Sequence, residues 1–195
     1  MSARRWLAAG APELAPVADL AVARTTIERY AALDAEQSRA RAFVLEWIDA
    51  HPDALLRSCL EGHLTSSALV IDAAGERALL TLHAKLGRWL QLGGHCDGDA
   101  NLAGSALREA TEESGIEGLA IDPAPIDLDC HRIPVRAGEP EHSHLDTRFL
   151  VRAPEGAVPR ISAESKALRW FAPAELEAIP TDDSVRRLFG LAFGR

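Results

Sequence analysis

The chain is short of cysteine, of basic residues and of long apolar runs, and each shortage excludes a class of protein. Its three cysteines, Cys59, Cys96 and Cys130, are odd in number, far apart and never spaced as C-x-x-C. That argues against a disulfide framework and against a structural zinc knuckle. Lys and Arg total 21 against 29 Asp and Glu, a formal net charge of −8. Such a balance disfavours a nucleic-acid coat or an anionic-membrane binder, while leaving room for one local basic pocket that holds a phosphate. No stretch approaches the ~18 unbroken apolar residues of a membrane helix. The start at Arg4-Arg5 looks briefly like the basic end of a signal, but Gly10, Pro12, Glu13 and Pro16 interrupt the apolar stretch behind it, so no leader is expected. The expectation is a soluble, cytoplasmic globular protein of 195 residues, enough for one domain and an extension.

Texture changes near Gly62. Up to about Leu60 the chain reads as helix. Leu20, Ala23, Ile27 and Tyr30 recur at helical intervals behind a capping Asp19. A second segment from about Asp34 carries Ala42, Phe43, Leu45, Trp47 and Ile48 and stops before Pro52, and a short third one follows through Asp53 to Leu60. Beyond Gly62, strands are expected at Leu64–Ile71, Ala78–His83, Ile126–Ile133, Leu145–Arg152 and Ala167–Phe171, with a short extended piece at 89–92. Helices are expected at Leu102–Ser114, closed by Gly115, at Pro173–Ala178, and from Asp182 or Asp183 through Leu191. Interleaved strands and helices imply a mixed α/β domain over 62–195, preceded by a helical extension over 1–61.

The helix 102–114 carries the chemistry. Leu102, Ala103, Ala106, Leu107 and Ala110 form its apolar stripe, and Ser105, Arg108, Glu109, Glu112 and Glu113 sit on the other side. Glu109, Glu112 and Glu113 are spaced i, i+3 and i+4, so their carboxylates converge within one turn, where like charges repel by about 0.2–0.5 kcal/mol per exposed pair. Arg108 is the only Lys or Arg between Ala100 and His131. A solvated acidic face and a hard-cation site of the Mg²⁺ type both fit that spacing. The glycines at 93 and 94 give a ligand close access to the backbone.

Gly94 to Ile116 resembles the Nudix box, G-x5-E-x7-R-E-U-x-E-E-x-G-U, in which U is a bulky apolar residue. Gly94, Arg108, Glu109, Glu112, Glu113, Gly115 and Ile116 fall in register. The sequence departs from the pattern twice: Ala100 stands at the first glutamate, with Asp97 and Asp99 just upstream, and the small Ala110 stands at the first U. The resemblance implies a Nudix-type α/β/α sandwich with a mixed sheet, and a Mg²⁺- or Mn²⁺-dependent hydrolase that cleaves a phosphoanhydride. It implies that Gly94 gives a backbone carbonyl and Glu109, Glu112 and Glu113 give carboxylates to the metal. Glu109 is also the implied general base, oriented by Arg108. The loss of the glutamate at Ala100 bears on the number of metals and the rate.

Weaker candidates lie elsewhere. His142, His144 and Asp146 alternate and share one strand face, which with His95 or His131 offers a Zn²⁺ set or substrate contacts. Trp89 and His95 flank the glycine loop as substrate-binding candidates, Trp89 serving either to stack on a base or as a wall under the sheet. Glu164 sits where some Nudix enzymes carry a late metal-binding glutamate. Subfamily signals point to no one substrate: the only tyrosine, Tyr30, precedes the box, whereas dinucleoside polyphosphate hydrolases tend to carry one after it. The default is a nucleoside diphosphate linked to another moiety; the other reading is a non-catalytic Nudix-fold nucleotide sensor. Isoprenoid-diphosphate isomerisation also occurs on this fold, but Cys96 alone gives it no support. The apolar stripes of the first 61 residues need cover, either from the chain's own sheet edge or from a second copy in a homodimer.

Overall fold

The computed structural model describes residues 4–194 apart from 136, 137, 139 and 162–164. Among these, strand β1 (Leu7–Ala8) and a 3₁₀ turn (Pro12–Leu14) precede helices α1 (Leu20–Glu28) and α2 (Ala35–Ala50). Then come β2 (Gly62–Ile71), β3 (Ala78–His83), β4 (Trp89–Leu90), β5 (Leu92–His95) and α3 (Leu102–Ser114). The chain closes with β6 (Ala120–Ile121), β7 (Asp127–Ile133), β8 (His142–Arg152), β9 (Ser165–Phe171), a 3₁₀ helix (Pro173–Ala178) and α4 (Asp183–Phe193). No helix among the described residues is long and apolar enough to cross a membrane.

The strands form one mixed sheet. Its main path runs β1-β6-β8-β2-β3-β4, with β5 paired to β2, β7 to β8 and β9 to β3. β2 and β8 run parallel, from Gly62 opposite Ser143 to Ile71 opposite Arg152. Alternation along β2 divides its two faces. Leu64, Ala68 and Val70 join the core under α1, α2 and α3, while Leu69 and Ile71 join a second core with Leu80, Phe171, Val185 and Leu188 under α4. Side-chain oxygens cap the helices: Asp19 accepts from the N–H of Ala21, Asp34 from Gln37, Asn101 from Gly104 and Asp182 from Val185.

The first sixty residues differ from the all-helical expectation. Leu7 and Ala8 add a strand to the sheet edge opposite Ile121 and Ala120. The third helix expected at 53–60 is a series of tight turns, closed by Ala54 N–H to His51 O, Leu56 N–H to Asp53 O and Cys59 N–H to Leu56 O. Each spans three residues, and Pro52 supplies no N–H, so no α-helical ladder forms. The apolar stripes are covered within the chain. Ile27, Tyr30, Val44 and Ile48 are buried in the same core as Leu64 and Leu102. Each such aliphatic side chain contributes about 1.5–3 kcal/mol. On α2 the buried row is Val44 and Ile48. Phe43 stays exposed, and Trp47 stacks on His51 at 4.1 Å. The homodimer expectation rested on uncovered stripes, and the cover is already present.

Candidate active site

The lower half of β2 turns polar on the face that carries Leu69 and Ile71 further up. His63, Thr65 and Ser67 floor a cavity of about 740 Å³, walled by Gly93, Gly94 and His95 of β5 and by Arg108, Glu109, Glu112 and Glu113 of α3. The seam between β2 and β5 is tight. A Cβ on Gly93 would lie 2.5 Å from Ser67 Cα and 2.8 Å from Ser66 O, and the residue sits at φ +153, so only glycine fits. The Gly93 N–H donates to Glu113 Oε2 at 2.8 Å. A Cβ on Gly94 would lie 2.8 Å from Cδ of Glu109, so the Glu109 carboxylate lies against bare backbone.

Arg108 ties the turn to the helix. It donates to Glu109 Oε1 at 2.5 Å and to the His95 carbonyl at 3.0 Å, and it lies 3.6 Å from Glu112. Burial pushes the Glu109 carboxyl above its ordinary range, against the pull of Arg108. The stripe Leu102, Ala103, Ala106, Leu107 and Ala110 is buried as expected, but Ser105 is buried too and does not belong to the acidic side. The small residue at Ala110 fits a wholly buried position.

Ala100 has a structural explanation. It is fully buried, its N–H donates to Val17 O at 2.6 Å, and the Val17 N–H donates to Asp99 Oδ1 at 3.0 Å. Asn101 donates to the carbonyls of Glu13 and Ala15. The N-terminal segment 13–17 therefore straps the loop, and a glutamate at 100 would bury its charge beneath that strap. Arg57 braces the loop from the other side through two hydrogen bonds to Asp97, at 2.9 and 3.0 Å.

A NUDIX domain profile matches residues 62–190. The chain belongs to the NUDIX domain family. Solved structures share the fold of this Nudix hydrolase. One is a Clostridium perfringens NUDIX-family hydrolase, 23% identical, with a TM-score of 0.55, over 68% of this chain and 96% of that one. A MutT NUDIX hydrolase from Burkholderia pseudomallei is 24% identical with a TM-score of 0.51, over 67% and 97%. A C. elegans Ap4A hydrolase in a binary complex is 18% identical with a TM-score of 0.52, over 66% and 93%.

The Nudix hydrolase redistributes the weaker candidates. His95, His142, His144 and Asp146 all line the cavity, but not as one zinc set. Asp146 accepts hydrogen bonds from Thr65 at 3.1 Å, Ser67 at 2.7 Å and Arg148 at 2.9 Å, so its oxygens are engaged. His63, which the local pattern did not single out, takes its place beside His95 and His144. Trp89 does not line the cavity. Its ring meets Phe171 edge-on at 4.8 Å in the second core, which removes the base-stacking role. Tyr30 is likewise structural, its hydroxyl donating to Gln37 Oε1 at 2.8 Å. Cys96 is buried, and burial drives its thiol far above the ordinary range, so it is no nucleophile. Glu164 lies outside the described residues.

A buried ionic network lies behind Asp146 of the cavity lining, and no sequence motif announces it. Arg148, 2% exposed, lies 3.4 Å from Asp127, 3.1 Å from Asp129 and 2.9 Å from Asp146. Arg187 of α4 adds bonds of 2.9 Å to Asp127 and 3.1 Å to Asp129. Burial alone would raise the Asp129 carboxyl, but hydrogen bonding to His131 and the charges of Arg148 and Arg187 carry it well below its usual range.

Proposed function

We propose that this Nudix hydrolase cleaves a phosphoanhydride bond in a nucleoside diphosphate linked to another moiety, with Mg²⁺ or Mn²⁺ held by Glu109, Glu112, Glu113 and the Gly94 carbonyl. In this reading residues 62–195 carry the chemistry and residues 1–61 brace it. The observation that carries it is the contact of the Glu109 carboxylate with bare Gly94 backbone, beside a glutamate bonded to Gly93. Three carboxylates and a carbonyl are the hard oxygen donors such cations take, and a side chain at 94 would fill the place. When bound, the cation neutralises phosphate charge and lowers the pKa of a coordinated water.

The chain's own residues do the rest. Glu109, with its carboxyl raised by burial, is suited to take a proton from the attacking water. Arg108 holds that carboxylate in place through one arm and anchors on the His95 carbonyl through the other. Arg57 and Lys85 on the cavity wall supply positive charge for the phosphates.

A screen of nucleoside diphosphate and triphosphate derivatives with Mg²⁺ and with Mn²⁺, identifying both products, tests the reading. Glu109→Gln is expected to lose on the order of 10²–10⁴ in turnover. No phosphoanhydride cleavage with either cation, or near-full kcat in Glu109→Gln, overturns it.

A further inference from the structure

A second donor set, of different chemistry, lies on the same cavity floor. His63, His144 and His95 come from three strands of the sheet. His63 stands opposite His144 in the parallel β2–β8 ladder, and His95 stands opposite Thr65 on the other side of β2. One ring nitrogen from each lies within 4.8 Å of the others. The ring centroids are 5.0 Å apart for His63–His95, 5.0 Å for His63–His144 and 5.1 Å for His95–His144.

Two observations beyond proximity point to a ligand. The first is an orphaned nitrogen. His63 is only 4% exposed, and its Nε2 has no hydrogen-bond partner. Its Nδ1 faces the Cys59 carbonyl at 3.4 Å, which assigns the proton to Nδ1 and the lone pair to Nε2. A buried acceptor left unmet is destabilising, and a cation would relieve that. Donation from the far nitrogen to a carbonyl is also how metal-bound imidazoles are commonly held.

The second is the pair on β8. His142 directs Nδ1 at the Pro140 carbonyl, 2.9 Å away, and its Nε2 lies 3.3 Å from Nε2 of His144. Two nitrogens this close share either a proton or a cation.

We propose that His63, His95 and His144, backed by His142, bind a borderline-soft divalent cation of the zinc type. This site is separate from the Mg²⁺ or Mn²⁺ site on the box carboxylates. Imidazole donors favour late first-row cations over Mg²⁺, so the two donor sets select different metals. Three protein ligands leave a coordination position open toward the cavity, where a phosphate oxygen of the substrate would bind.

Cobalt is a suitable probe, since Co²⁺ absorbs visibly where Mg²⁺ does not. The full chain is freed of metal with a chelator and titrated with Co²⁺, then with Zn²⁺, by calorimetry and visible absorbance. One Co²⁺ per chain with the strong bands of a four-coordinate imidazole site is expected, displaced by Zn²⁺. His63→Gln and His144→Gln should each weaken binding about 100-fold or more, while Glu113→Gln leaves the bands unchanged. Thermal melts confirm that each variant is folded, and the half-buried His95→Gln serves if His63→Gln is not. Absence of tight Co²⁺ and Zn²⁺ binding overturns the site, as does loss of the bands in Glu113→Gln with retention in the histidine variants. The readout needs no substrate, so its failure and the failure of the hydrolase reading are distinct.

Discussion

Replacing Arg148 by methionine should destabilise the protein by about 3–5 kcal/mol, the usual result of leaving a buried charge without its partner. The structure identifies which charge that is. Asp127 would keep two hydrogen bonds from Arg187, both 2.9 Å, and Asp129 would keep Arg187 at 3.1 Å and His131 at 2.8 Å. Asp146, 4% exposed, would keep, among the described residues, only the hydroxyls of Thr65 and Ser67 and a distant Gln91 amide. The loss should therefore trace to Asp146. The double variant Asp146→Asn with Arg148→Met should recover most of it, because a neutral amide is satisfied by hydroxyls where a carboxylate is not. Equilibrium urea unfolding of the wild type, both single variants and the double variant gives the coupling energy directly. A cost below about 1 kcal/mol for Arg148→Met, or purely additive single effects, would refute the reasoning.

Gly94→Ala would force the Glu109 carboxylate away from a Cβ that lies 2.8 Å from its Cδ. A displacement of about 1 Å costs on the order of 10²-fold in kcat, with little change in melting temperature, and kinetics on the screened substrate check it. Asp72 clips the β2–β3 turn, accepting from the N–H groups of Glu76 and Arg77 and from the Arg77 side chain. Burial opposes ionisation there, but those donors win and hold its carboxyl below the ordinary value. Its contribution is thus present above the unfolded-state pKa, about 3.9, and is lost as pH falls through the lower folded value. Asp72→Ala should cost about 1–3 kcal/mol at pH 7, and the gap to wild type should narrow below about pH 4 in urea titrations at several pH values. A chain starting at Glu61 exposes the core that Ile27, Tyr30, Val44 and Ile48 cover and loses Arg57, so it should be recovered insoluble. A monodisperse, active product would show that the extension is dispensable.

Local pattern and spacing revealed α3 well, because one turn of helix sets Glu109, Glu112 and Glu113 together whatever the rest of the chain does. The hairpin of β2 and β3 was legible for the same reason. What escaped depends on pairing between distant segments. Asp127 and Asp129 alternate on β7, and Asp146 and Arg148 on β8, yet they meet only because Asp127 falls opposite Arg148 in the antiparallel register. His63 has no histidine neighbour in sequence; the parallel ladder to β8 brings it beside His144. Strand β1 is two residues long, below what any periodicity can register, and the reason for Ala100 lies more than eighty residues upstream, at Val17.

Strand β2 is bonded along its full length to β8 on one side, and on the other to β5 over Thr65–Ala68 and to β3 at Val70 and Ile71. The side chains that floor the cavity thus hang from backbone that cannot shift without tearing the sheet. A descendant of this chain that acquired a different substrate would have little freedom there, since each change of floor residue would weaken the fold and the chemistry together. The freedom lies on the connections that border the cavity, where Lys85 and Leu86 after β3 and Pro140 before β8 line it outside the strand ladder. Selectivity can drift at that rim while the reaction beneath it stays the same.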